Sequence, residues 1–136
     1  MSTRATIHIK ENGSRLVSLY HHTDGYPSWL GVEIAKFIQS GVLTNGIGED
    51  KGLTQFNGAG CFAAAIIKHF KDGPGGLYVC QPDDSQEYDY TINMNSLTLK
   101  QASPRGVGEF EISCKGHEST GPLPPAKFLK WAEKKG

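Results

Sequence analysis

A chain of 136 residues with 38% hydrophobic and 21% charged side chains has the size and composition of one globular domain. Fourteen Lys and Arg balance fourteen Asp and Glu, so net charge offers no electrostatic pull toward nucleic acid or an anionic membrane surface. No apolar run approaches the ~20 residues that span a bilayer. Met1-Ser2-Thr3-Arg4 leads into a strand without the apolar core of a secretory leader, so the expected location is cytoplasmic. Cys61, Cys80 and Cys114 are odd in number and far apart, with no CxxC spacing. They read as small apolar side chains in a reducing compartment, and no metal or cofactor is expected.

Ala5, Ile7 and Ile9 alternate with Thr6, His8 and Lys10, the period-2 pattern of a half-buried strand. Asn12-Gly13 follows, a dipeptide suited to the two positive φ values of a type I′ turn, and Arg15 to His21 is the returning strand. Asp24-Gly25 breaks that strand, and Pro27-Ser28 opens a helix over about 28–39 with Leu30, Ile34, Phe37 and Ile38 on one face. Residues 42–57 carry Gly46, Gly48 and Gly52 with little periodicity and read as a long loop. A second helix is expected over 58–71, with Phe62, Ala63, Ile66, Ile67 and Phe70 as its stripe, until Asp72-Gly73-Pro74-Gly75-Gly76 ends it.

The remainder reads as short strands at 77–81, 88–94, 97–101 and 109–114, the first two joined by a turn at Pro82-Asp83-Asp84-Ser85. The order is ββααββββ. Short connections favour antiparallel neighbours, so an α+β fold with an antiparallel sheet and two helices on one face is predicted. Residues 1–115 then form the domain. Residues 116–136 form a proline-rich linker and a short basic C-terminal helix, able to dock on the body or on another subunit. Antiparallel edges together with that tail predict a homodimer.

His21 and His22 are adjacent in a strand, so they point to opposite faces and cannot share a metal. His22 and Asp24 have common parity, and with Tyr20, Tyr26 and Trp29 they make a candidate edge for a polar ligand. The same residues also suit a purely architectural turn in which Asp24 accepts backbone N–H groups at the helix start. The glycines from Gly46 to Gly60 lack both the Walker A lysine-serine pair and a GxGxxG after a strand. Cys61 and His69 share a helix but lie too far apart along it to touch. No GxSxG, HExxH or paired-acid motif occurs, so an enzyme is disfavoured. In the tail, Lys127, Phe128, Lys130 and Trp131 form a candidate partner-binding surface.

Tyr20-His21-His22-Thr23-Asp24-Gly25-Tyr26-Pro27 resembles a Tyr-x-His-Trp-Asp-Gly-Tyr-Pro motif of small proteins from phages, prophages and bacteria that carry no assigned activity. The resemblance extends over roughly residues 5–95, through Glu87-Tyr88-Asp89-Tyr90-Thr91-Ile92; Thr23 stands where that motif has tryptophan. It implies a mobile-element context. The expected function is a phage-type accessory binding protein, antagonising a host defence system by sequestering a host protein or a small signalling ligand. The alternative is a small hydrolase or nuclease using His22 and Asp24.

Overall fold

The computed structural model describes residues 3–44, 54–95 and 109–135. In chain order these form β1 (Ala5–Glu11), β2 (Ser14–His21), a π-helical turn at Pro27–Gly31 that continues as α1 (Val32–Gln39), β3 (Gly41–Thr44) and β4 (Thr54–Asn57). Then come α2 (Gly58–Phe70), β5 (Leu77–Val79), β6 (Tyr88–Asn95), β7 (Glu109–Gly116), β8 (Thr120–Leu123) and α3 (Pro125–Glu133). Six strands make one sheet in the order β5-β2-β1-β6-β7-β8. The fold is α+β.

The first hairpin forms as its turn chemistry dictates. Asn12 and Gly13 take φ values of 50° and 85°, and Ile7 pairs with Leu19 and Ala5 with His21. The sheet, however, is mixed rather than antiparallel throughout. β6 runs parallel to β1, with Ala5 opposite Tyr88 and Ile9 opposite Ile92. The cause is the segment 80–87, which crosses the sheet instead of turning back on β5. Since β5 lies outside β2, the chain must pass β2 and β1 to reach β6. That is three strand spacings, about 14 Å, well within the roughly 25 Å that a segment of this length can span.

The ends of the expected 42–57 loop are strands, since β3 and β4 pair in parallel as a second small sheet. Gly46, Gly48 and Gly52 lie outside the described residues, as does the expected strand at 97–101.

One core lies between the inner face of the sheet and the helices. Ile7, Ile9, Leu19, Tyr90, Ile92 and Ile112 supply the sheet side, and Leu30, Ile34, Phe62, Ile66 and Phe128 the helical side. The expected linker and tail are part of this unit. Lys115 and Gly116 finish β7, Thr120–Leu123 add the edge strand β8, and α3 packs against α1 and β7. Phe128 is completely buried, with its ring edge-on to Tyr90 at 6.4 Å between centroids. Gly31 makes room for it: a Cβ there would stand 3.3 Å from Phe128 Cε2 and 3.4 Å from Ala132 Cβ.

Each sheet edge is blocked along part of its length against pairing with another chain. On β5, the Lys71 ammonium donates to the carbonyls of Gly75 and Leu77, each at 2.9 Å, and the Leu77 N–H donates to Gly75 O. β8 contains Pro122, which has no N–H to offer. The homodimer expected from antiparallel edges therefore meets two partly obstructed edges. Among the described residues, no helix is long and apolar enough to cross a membrane.

Candidate functional site

Strand alternation decides where the motif side chains go. His21 ends β2 on the inner face, 8% exposed, with the Trp29 and Phe70 rings each 6.0 Å away. Tyr20 points outward, and its hydroxyl lies 2.8 Å from His22 Nδ1. β5 sets Tyr78 directly opposite Tyr20, with the rings 6.0 Å apart and Tyr78 50% exposed. Lys71 Nζ sits 5.4 Å from the Tyr78 ring centroid, a cation–π contact at the sheet edge. The result is a polar aromatic patch of Tyr20, His22 and Tyr78 on the outer face. His21 and His22 part as strand parity predicts.

The rest of the motif is architectural. Asp24, not Gly25, carries the left-handed backbone of the turn, with φ 51°. Gly25 is required for proximity instead. Its N–H donates to Thr3 O at 2.9 Å, and a Cβ on it would stand 2.7 Å from Ala5 Cβ. The buried Tyr90 hydroxyl donates to Gly25 O at 2.7 Å, tying the turn to β6. The Tyr26 carbonyl accepts the Leu30 N–H at 2.9 Å, and no side chain caps this helix start. Tyr26 packs against the core, and Trp29 is 39% exposed beside His21. Of the five expected ligand-binding residues, the structure therefore brings together Tyr20 and His22. Asp24 is exposed and makes no hydrogen bond to His22 among the described residues. Tyr26 and Trp29 belong to the helical side.

Next to the patch lies a polar network absent from the sequence reading. Thr6 and Ser18 face outward yet are 0% and 3% exposed. The crossover covers them: Cys80 N–H donates to Ser18 O, and Ser85 Oγ and Gln86 N–H donate to the Asp89 carboxylate. Beneath it Thr6 Oγ1 donates to Asp89 Oδ1. The Thr6 oxygen is then the acceptor for His8 Nε2–H at 3.2 Å, which leaves His8 Nδ1 to accept from Ser18 Oγ at 2.7 Å. The order Ser18, His8, Thr6, Asp89 thus fixes one neutral tautomer of His8. The network fastens the crossover to the sheet, and burial keeps the Ser18 hydroxyl away from any external acyl group. Tyr78, Thr6, His8, Ser18 and Asp89 were hidden because each sits at an ordinary polar position of an alternating strand. The β1–β2 hairpin sets His8 beside Ser18, but it takes the β1–β6 pairing to bring Asp89 to Thr6 and the β2–β5 pairing to bring Tyr78 to Tyr20.

Burial holds His8 below the ordinary histidine range. Asp89 and Asp84 oppose this, while Arg15 and Lys10 reinforce it. Burial likewise lowers His21, against a Thr23 backbone hydrogen bond and the Asp24 charge, with His22 reinforcing. Below about pH 6.5 the unfolded chain takes up protons that the folded protein refuses. Stability is therefore full above about pH 6.5 and falls as the solution is acidified toward the folded-state values. Urea unfolding at about pH 7.5 and about pH 5.5 should show a lower midpoint in acid, and His21→Phe should flatten that difference. A midpoint that rises on acidification contradicts the assignment.

In the tail, Lys127 and Lys130 are exposed and Trp131 is half-buried against Phe128, while Phe128 itself is sealed in the core and open to no partner. Cys61 is exposed, and His69 stacks on Phe37 at 4.5 Å. Burial raises the Cys80 thiol, with Asp84 adding to it, and pushes Cys114 up to about 12, the reverse of an activated nucleophile. Among the described residues, no group of three or more His, Cys, Asp and Glu is placed to hold a metal ion. No family model, curated protein or solved structure matches the chain.

Proposed function

We propose that this chain is a small accessory binding protein of the phage type, acting in the cytoplasm of a host cell by occupying a host protein or a small polar ligand. The observation that carries the reading is the Tyr20–His22–Tyr78 patch, in which the exposed Tyr78 ring and the half-buried Tyr20 and His22 rings are oriented by one another before any partner arrives. Tyrosine offers a large rigid contact surface and a polar tip, and such residues dominate interface energetics when preorganised. Lys71 beside Tyr78 adds a cation to the same surface. The resemblance of Tyr20–Pro27 to phage and prophage proteins supplies the context, in which antagonism of a host defence system is the role.

The test is co-purification from host cytoplasm, followed by mass spectrometry of both proteins and small molecules, for the native chain and for His22→Ala and Tyr78→Ala. The native chain should carry a stoichiometric companion, and each substitution should weaken it by about tenfold or more. Multiple turnovers of a nucleotide or nucleic-acid substrate, lost on His22→Ala, would sink this reading in favour of hydrolysis.

A further inference from the structure

At the opposite edge of the sheet, β7 is only partly covered among the described residues. β8 pairs with it at Ile112–Leu123 and Cys114–Thr120. Pro124 and Pro125 then turn the chain into α3. Neither proline has an N–H to donate, so the ladder ends there, and Glu109, Phe110 and Glu111 run on past the last residue of β8. A hollow of about 610 Å³ lies alongside, walled by Ile38, Val42, Leu43, Phe110, Pro124 and Pro125. That volume is in the range of ordinary ligand sites. Two exposed carboxylates, Glu109 and Glu111, border it, and among the described residues no Lys, Arg or His lines it.

We propose that the Glu109–Glu111 edge and this hollow form a docking groove for an extended peptide segment in which apolar side chains alternate with lysine or arginine. Each feature answers one part of such a ligand. The Phe110 N–H and C=O, which face away from β6, accept the peptide backbone as a short added strand. Period-2 alternation then sends every second side chain toward the Phe110 side, where the hollow receives it, and the intervening ones toward Glu109 and Glu111. Proline walls lose little freedom on binding, because their backbone is already fixed. The carboxylates select cationic partners and reject anionic ones by charge. The groove is separate from the Tyr20–His22–Tyr78 patch, which lies at the β5 end of the sheet.

Fluorescence anisotropy with two labelled nine-residue peptides tests this, one alternating leucine with lysine and threonine, the other with glutamate in place of lysine. The lysine peptide should bind at least about tenfold more tightly. Glu109→Gln with Glu111→Gln should abolish that preference, Val42→Arg should weaken binding of the lysine peptide, and His22→Ala should leave it unchanged. A lysine peptide N-methylated at every second amide on the edge-facing side should lose binding, since it can no longer complete a ladder. Backbone amide shifts should map to Glu109–Glu111. Equal binding of both peptides, no binding of either at about 1 mM, or shifts mapping elsewhere would overturn the proposal.

Discussion

Replacing Phe128 with alanine should lower the unfolding free energy by about 3–5 kcal/mol. The ring is fully buried, and its neighbours are Gly31, Tyr90 and Trp131. Gly31 has no side chain with which to refill the space, and Tyr90 is held by its hydrogen bond to Gly25, so the cavity collapses poorly. For a domain of ordinary stability this is a large part of the total. Trp131, half-buried against the ring, reports the transition by fluorescence in urea. Lys130→Ala, two residues away on the exposed side, should stay within about 0.5 kcal/mol of the native chain. If Phe128→Ala also stayed within that margin, α3 would be a detachable appendage and the description of a shared core would be wrong.

Gly25→Ala should destabilise the protein by about 2–5 kcal/mol, although alanine is the smallest change available. The new methyl would meet Ala5 Cβ at 2.7 Å, Thr3 O at 3.0 Å and Ala5 N at 3.1 Å. Two of these are backbone atoms at the entry to the central strand, so relief requires moving β1. Any such movement stretches the buried hydrogen bond from Tyr90 and leaves the phenol without its acceptor. Pairing the change with Ala5→Gly should restore part of the loss, as it removes the closest contact. Asp24→Gly should be neutral or slightly stabilising, because glycine tolerates φ near 51° without the cost an L side chain pays there. Thermal unfolding of the three variants beside the native chain separates the two roles. A harmless Gly25→Ala together with a costly Asp24→Gly would reverse them.

Much of the fold is local and was therefore legible. Asn12-Gly13 names its turn, Ala5, Ile7 and Ile9 name their face, and the alternation from Tyr88 to Met94 appears unchanged in β6. What stayed hidden is pairing. Pro82-Asp83-Asp84-Ser85 has the composition of a turn, but composition does not say which strand the chain joins next, and the answer was β1. The same limit governs the candidate site. Parity alone separated His21 from His22, and the structure keeps that separation. It could not place Tyr78 beside Tyr20, since their contact depends on the β2–β5 register. Phe128 looked like an exposed aromatic among lysines because a short amphipathic helix gives no sign of which molecule covers its apolar face.

The crossover has a consequence for how the chain acquires its structure. The first hairpin can close as soon as its residues leave the ribosome, because its contacts are local. Its inner flank nevertheless waits for β6, whose residues are made some eighty positions later, and the layer above waits for α3. A nascent chain halted between these points holds an apolar strand with one neighbour missing, the kind of surface that chaperones and proteases recognise. The fold thus cannot commit until α3 has been made. Release from a stalled ribosome anywhere before α3 should yield a product that is degraded rather than stored.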